Sequence, residues 1–130
     1  MTFDAIGISA SGLTTHRKWL DAISDNIANI NTVVSGDDAA FAERFVEVQA
    51  DRGQLGVTAT AARYGETEGR LVHEPNNPLA NADGYVRYPD IDLGEQMAHL
   101  ISAQRGFEAN AAVVDRAKSS YEAALQIGRN

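Results

Sequence analysis

From Leu93 to Leu125 one line of positions runs through the chain: Leu93, Met97, Leu100, Gln104, Phe107, Ala111, Val114, Lys118, Tyr121 and Leu125. The steps alternate between four and three, which is the heptad period, so these residues fall along one seam of a helix. No proline lies between Glu95 and Asn130, and Gly106 is the only glycine inside that run before Gly128. Alanine, the best helix former, is abundant in it. At 1.5 Å per residue the helix predicted from Leu93 to Gly128 is a rod of about 50 Å. In a chain of 130 residues such a rod needs a second surface to lie on.

The N-terminal stretch offers one. Ile6, Leu13, Leu20 and Ile27 are spaced by seven, with Ile23 and Ile30 between and beyond them. The pattern predicts an amphipathic helix from about Phe3 to about Asn29. Gly7, Ala10, Ser11 and Gly12 form a small-residue patch that lets another backbone come close. The helix ends in Asn26-Ile27-Ala28-Asn29-Ile30-Asn31-Thr32. Asparagine tolerates the left-handed conformation and its amide bonds nearby main chain, so this run predicts a helix terminus and a sharp exit. The second seam is shorter than the first, so part of the C-terminal helix is left uncovered in a monomer. Gln104 and Lys118 are the polar residues expected to fix the register.

The middle has a different character. Segment 37–92 carries −6 of the net −7 charge, whereas 1–36 carries −1 and 93–130 is neutral. Phe41 to Ala50 alternates loosely, as a strand or a helix. Gly53 and Gly56 bracket a turn. Val57 to Arg63 reads as a strand with Arg70 to His73 as its partner. Glu74 to Asp92 is broken by Pro75, Pro78 and Pro89 and holds one extended piece, Tyr85-Val86-Arg87-Tyr88. The fold expected is mainly α: long N- and C-terminal helices (segments 1–36 and 93–130) pairing as a coiled coil, with a small irregular β-containing middle (37–92).

Several function classes are disfavoured. There is no cysteine, hence no disulfide and no thiolate metal site. The acidic balance argues against nucleic-acid binding. No apolar run reaches the length of a membrane span, and residues 1–10 lack the basic and apolar regions of a cleaved signal, so neither membrane insertion nor a cleaved signal peptide is expected. His16, His73 and His99 have no metal-ligand spacing. Glu95 and His99 are one turn apart, which suits a surface pair. Gly53, Gly56, Gly65 and Gly69 do not make a phosphate loop. No catalytic, cofactor or metal residues are assigned, and an enzyme is not expected.

Two groups of residues together resemble a known family. The run Asn26, Ala28, Asn29, Asn31 and Thr32 is similar to the signature closing the N-terminal helix of bacterial flagellar rod and hook axial proteins. Pro75, Pro78, Gly84, Tyr85, Val86 and Pro89, within Glu74 to Ile91, resemble the segment that marks the proximal-rod branch of that family. The C-terminal helix, with Met97, Ile101-Ser102-Ala103, Arg105, Asn110 and Lys118-Ser119, is similar as well. Val33-Val34 before Gly36 and Asn77 before Pro78 depart from the family pattern, and residues 38–65 match it weakly.

The resemblance implies a structural subunit of the basal-body rod. Such a subunit is exported without a cleaved signal through the flagellar type III apparatus and polymerises helically into the hollow shaft that spans the periplasm and carries torque from rotor to hook. It implies as partners further copies, other rod subunits, and the MS-ring and rod-adaptor proteins at the base. On this reading Leu13, Leu20, Ile23, Ile27, Leu100, Phe107, Val114, Tyr121 and Leu125 carry the packing between subunits. The alternative that two amphipathic ends allow is a soluble coiled-coil adaptor that does not polymerise.

Overall fold

The structure, a computed structural model, describes residues 2–53 and 55–129. Met1 and Asn130, at the ends of the terminal segments, and Gln54 in the middle lie outside the described residues. Helix α1 spans Thr2–Asn29. Strands β1 (Val34–Ser35), β2 (Arg44–Ala50), β3 (Val57–Tyr64), β4 (Arg70–His73) and β5 (Tyr85–Tyr88) follow, and α2 spans Leu93–Gly128. The architecture is therefore two long terminal helices around a small β-containing middle. The chain divides into two compact units. One holds Met1–Leu20, Val46–Ala61 and Ile101–Asn130; the other holds Asp21–Phe45 and Ala62–Leu100.

In the first unit α1 and α2 run antiparallel. Gly12 abuts Asn110, four residues on His16 abuts Gly106 four residues back, and the Phe3 and Tyr121 rings meet edge-on at 5.3 Å. The contact is made by small and polar residues. A Cβ on Gly12 would lie 2.8 Å from Asn110 Oδ1, and one on Gly106 would collide with the His16 ring. Ser9, Gly12, Thr15 and Ala103 are buried. The line of contact is thus turned from the line that periodicity predicts. Gln104 and Lys118, expected to set the register, are exposed, and Lys118 instead meets Glu122 one turn on, at 3.9 Å. The physical reason is space: each glycine leaves room for a larger polar side chain of the facing helix, Asn110 against Gly12 and His16 against Gly106, and a branched aliphatic at either glycine would exclude it.

The β2–β3 ribbon forms a separate two-stranded sheet. Its turn end is in the first unit, where the Asp51 N–H donates to the Gly56 carbonyl at 3.1 Å. Gly53 (φ 132°) and Gly56 (φ 140°) supply backbone that other residues rarely adopt. This pairing overturns the expected partnership of Val57–Arg63 with Arg70–His73. The 51–56 turn closes β2 onto β3, and β4 is bonded to β5.

In the second unit, the Gly65 N–H bonds the Glu43 carbonyl at 2.8 Å at the other end of that ribbon. A three-stranded sheet runs in the order β1-β5-β4. Both pairs are antiparallel, with Ser35 opposite Val86, and Val72 opposite Val86 on the other side. Val86 is fully buried, and Ala40 and Ile23 nearly so. Gly69 (φ 58°) leads into β4, where an added Cβ would run into the Tyr88 carbonyl and sit 2.7 Å from the Ala40 Cβ. Helix α2 starts at an aspartate cap: Asp92 Oδ1 accepts the Glu95 N–H at 2.8 Å.

Two glycines should respond in opposite directions. Gly69→Ala forces an alanine into left-handed backbone against a carbonyl and should cost at least about 1–2 kcal/mol. Gly7 is helical and has nothing within 4 Å of a Cβ, so Gly7→Ala should stabilise by up to about 1 kcal/mol. Urea unfolding of the two variants beside the parent checks both signs.

Candidate functional site

Helix geometry fixes where the predicted packing residues lie. Four residues advance a helix by 400°, a net turn of 40°. Four forward from Ser9 and His16 come Leu13 and Leu20. Four forward from Ala103, Asn110 and Ala117 come Phe107, Val114 and Tyr121. Because the helices of the first unit are antiparallel, equal forward turns on each move to the same side of the pair. Leu13 and Leu20 therefore flank Phe107, Val114 and Tyr121 along one side. All are half-buried except Tyr121, which is 41% exposed. The other side of α1 is taken by the hairpin: Ser11 Oγ accepts the Val57 N–H at 3.1 Å. The aliphatic strip faces away from it. Leu125 lies further along α2 and is 53% exposed.

In the second unit the same offset leads from buried Ile23 to half-buried Ile27 and from buried Gln96 to half-buried Leu100. Leu93 and Met97 beside Leu100 are exposed. An apolar strip that is neither covered nor fully open is the form expected of a surface that binds another chain.

The second unit also holds a buried polar node. Asn26 Nδ2 donates to the Arg44 carbonyl at 3.0 Å and to Gln96 Oε1 at 3.1 Å, while Asn26 Oδ1 accepts the Arg44 N–H at 2.7 Å. Both main-chain groups of one residue are thus held by one carboxamide, as a neighbouring strand would hold them. Gln96 Nε2 donates in turn to Glu43 Oε1 at 2.6 Å, and the Arg44 guanidinium pairs with Asp25. Asn26 and Gln96 are each 1% exposed. Satisfied this fully, a buried amide specifies one arrangement; left unpaired it would be costly.

The rest of the asparagine run acts through side chains. Asn29 Nδ2 donates to the Asp25 carbonyl at 2.8 Å and Asn29 Oδ1 accepts from Thr32 Oγ1 at 3.1 Å. No described non-glycine residue has positive φ, so the expected left-handed exit is not used. Ala28 and Asn31 are exposed. In the proline-containing segment, Gly84 (φ 81°) packs on Pro75 and His73. Tyr85 stacks at an angle on His73 at 4.9 Å, Pro89 is buried, and Pro78 is exposed. Asn81 organises the turn: its Oδ1 accepts the Asp83 and Tyr85 N–H groups, and its Nδ2 reaches Asp37 at 3.0 Å. The Tyr88 hydroxyl donates to Glu74 Oε1 at 3.1 Å. That bond, helped by burial and the Glu74 charge and opposed by Arg70, raises the Tyr88 pKa above its ordinary 10.

Among the described residues no cluster of His, Cys, Asp or Glu could hold a metal ion, and no helix is long and apolar enough to cross a membrane.

Comparison with known proteins accords with this arrangement. Residues 6–33 match the family model "Flagella basal body rod protein", and residues 82–127 match "Flagellar basal body rod FlgEFG protein C-terminal". The chain is 33% identical to the flagellar basal-body rod protein FlgC of Salmonella typhimurium, over 94% of each chain. It is 30% identical to FlgC of Bacillus subtilis over 98% of each, and 32% identical to FlgC of Borreliella burgdorferi over 96% of each. The chain belongs to the FlgC family of flagellar basal-body rod proteins. The asparagine run contributes a buried bond set at Asn26, and the proline-containing segment contributes the buried Val86 beside the exposed turn bonds of Asn81. Gln96, Glu43 and Arg44, which complete the Asn26 node, were not marked by the sequence, because their role appears only when three distant segments meet.

Asn26→Ala removes three bonds and strands the Arg44 and Gln96 groups, and should cost about 2–4 kcal/mol in urea unfolding. Asn26→Asp keeps the shape but cannot donate at neutral pH, so it should cost at least as much. For Tyr88 the neutral phenol is the favoured folded form. Its contribution to stability should be complete below pH 10 and decline as pH rises through the raised folded value. Phenolate absorbance and unfolding followed against pH, compared with Tyr88→Phe, should locate that decline.

Proposed function

We propose that this chain works as a structural subunit of the flagellar basal-body rod, and that its chemistry is assembly rather than catalysis. The observation that carries the reading is the likeness to FlgC over nearly the whole chain, joined to a helix pair whose aliphatic strip its own fold leaves partly open. Relatives that span the same length are rod proteins, which disfavours a non-polymerising adaptor. The subunit sits in the basal body, with further copies and other rod components as its neighbours.

Segments 1–36 and 93–130 pair as a coiled coil and form the inner wall of a helically polymerised, hollow shaft that transmits torque. Segment 37–92 projects from that core. At the base the shaft meets the MS-ring and rod-adaptor proteins, and the subunit arrives through the type III export apparatus. Leu13, Leu20, Ile27, Leu100, Phe107, Val114, Tyr121 and Leu125 pack against neighbours, whereas Ile23, expected among them, is 1% exposed and lies in the chain's own core. One such contact is weak, but several per subunit act together, since each one formed makes the next effectively intramolecular.

Leu100→Asp places a charge on the strip. Cells carrying it should lose motility, and the chain should disappear from purified hook–basal bodies, while the isolated variant keeps the fold of its 37–92 segment. A variant that still builds rods overturns the packing assignment. Mass spectrometry of particles from the parent strain should find the chain at many copies and resistant to salt washing; its absence from them would remove the rod reading itself.

A further inference from the structure

Helix α2 buries one side chain in its first two turns. Of its described residues from Leu93 to Leu100, only Gln96 is buried, at 1% exposed. The Asp92 cap and the bond from the Gln96 N–H to the Asp92 carbonyl are local; they start the helix but turn with it. The Gln96 carboxamide differs, because both its bonds go to other segments. Its Oε1 accepts from Asn26 Nδ2 of α1 at 3.1 Å, and its Nε2 donates to Glu43 Oε1, just before β2, at 2.6 Å. The two ends are not interchangeable. Asn26 presents a donor and Glu43 an acceptor, so a helix that turns or slips loses both bonds at a buried site. An apolar side chain of similar size would fill the space without that requirement. A polar residue in such a position fixes register at a cost in stability.

The rotation fixed in this way decides what α2 presents. At 100° per residue, Leu100, Leu93 and Met97 lie about 40°, 60° and 100° round the helix from Gln96, all on the same side. Leu93 is 50% exposed, Met97 is 44% exposed and Leu100 is half-buried. A register shift of one residue would swing this apolar group by about 100°.

We propose that Gln96 is a positioning residue for assembly. It holds the first turns of α2 in the one rotation that offers Leu93, Met97 and Leu100 to a neighbouring subunit. This role rests on the rod reading, which supplies the neighbour, and goes beyond it by separating the residue that aims the surface from the residues that form it.

Three variants test it. Gln96→Met keeps length and volume but removes both bonds; Asn26 Nδ2 retains the Arg44 carbonyl, and half-buried Glu43 can bond water. The purified variant should melt within about 5 °C of the parent. Amide exchange from Met97 to Leu100 should nevertheless quicken about tenfold, and the amount of chain in hook–basal bodies should fall about tenfold as the cooperating contacts are lost. Gln96→Glu sets a carboxylate against Glu43 and should lose protection and rods alike. Adding Glu43→Gln reverses donor and acceptor, restores both bonds, and should recover both. A Gln96→Met chain that builds rods as the parent does overturns the positioning role. Loss of rods that only tracks loss of thermal stability across the three variants overturns it too, since Gln96 would then serve the fold alone. If the parent chain is absent from the particles, the rod reading fails separately. Exchange in the purified chains then decides, and parent-like protection of Met97 to Leu100 in Gln96→Met overturns the role.

Discussion

The second unit depends on one carboxamide. Asn26 occupies both main-chain groups of Arg44 and reaches Gln96, so the end of α1, the start of β2 and the first turns of α2 are fixed by the same side chain. An apolar residue there would bury area but would not distinguish one register from the next. The amide does distinguish them, because a slip along either helix leaves buried donors and acceptors without partners. The surrounding groups add to this selection. Glu43 bonds Gln96 and Asp25 pairs with Arg44, so each partner of the node is itself held in place.

The extent of both helices was legible from periodicity and composition. A proline-free, alanine-rich heptad pattern leaves few other conformations, and α2 begins at Leu93, where the seam begins. The line of contact was not legible. Periodicity finds the most apolar stripe and takes it for the interface. Here the closest approach runs through Ser9, Gly12, His16, Ala103, Gly106 and Asn110, with the leucines to one side. The small-residue patch around Gly12 was the available clue, and only Gly12 of its glycines meets the other helix; Gly7 faces open space.

The middle was legible as strands and turns but not in its pairing. Val57–Arg63 and Arg70–His73 are near in sequence, and proximity favoured joining them. The pairing is decided instead by the 51–56 turn and by Gly69, whose positive φ directs the chain toward β5. Of the two uses expected of the asparagine run, left-handed backbone is absent from the described residues and the amide bonds are present, from Asn29 to nearby main chain and from Asn26 to the distant Arg44 and Gln96. The family resemblance pointed to Asn26 and Asn29 without naming their partners, and Ala28 and Asn31 of the same run are exposed. Gln96 illustrates the limit: one glutamine in an amphipathic helix carries no signal until its partners on α1 and before β2 are known.

The glycine contacts of the helix pair also bear on width. Interaxial distance follows the side chains at the contact, about 8–10 Å in ordinary pairs, and here Gly12 and Gly106 give their space to the Asn110 and His16 side chains of the facing helix. In a tube whose wall is made of such pairs, the circumference is set by the number of pairs and the breadth of each. A methyl group at Gly106 would then do more than crowd His16. Repeated around the ring, the added breadth would enlarge the bore or change how many subunits close it, so a residue in the interior of one subunit would set the calibre of the whole.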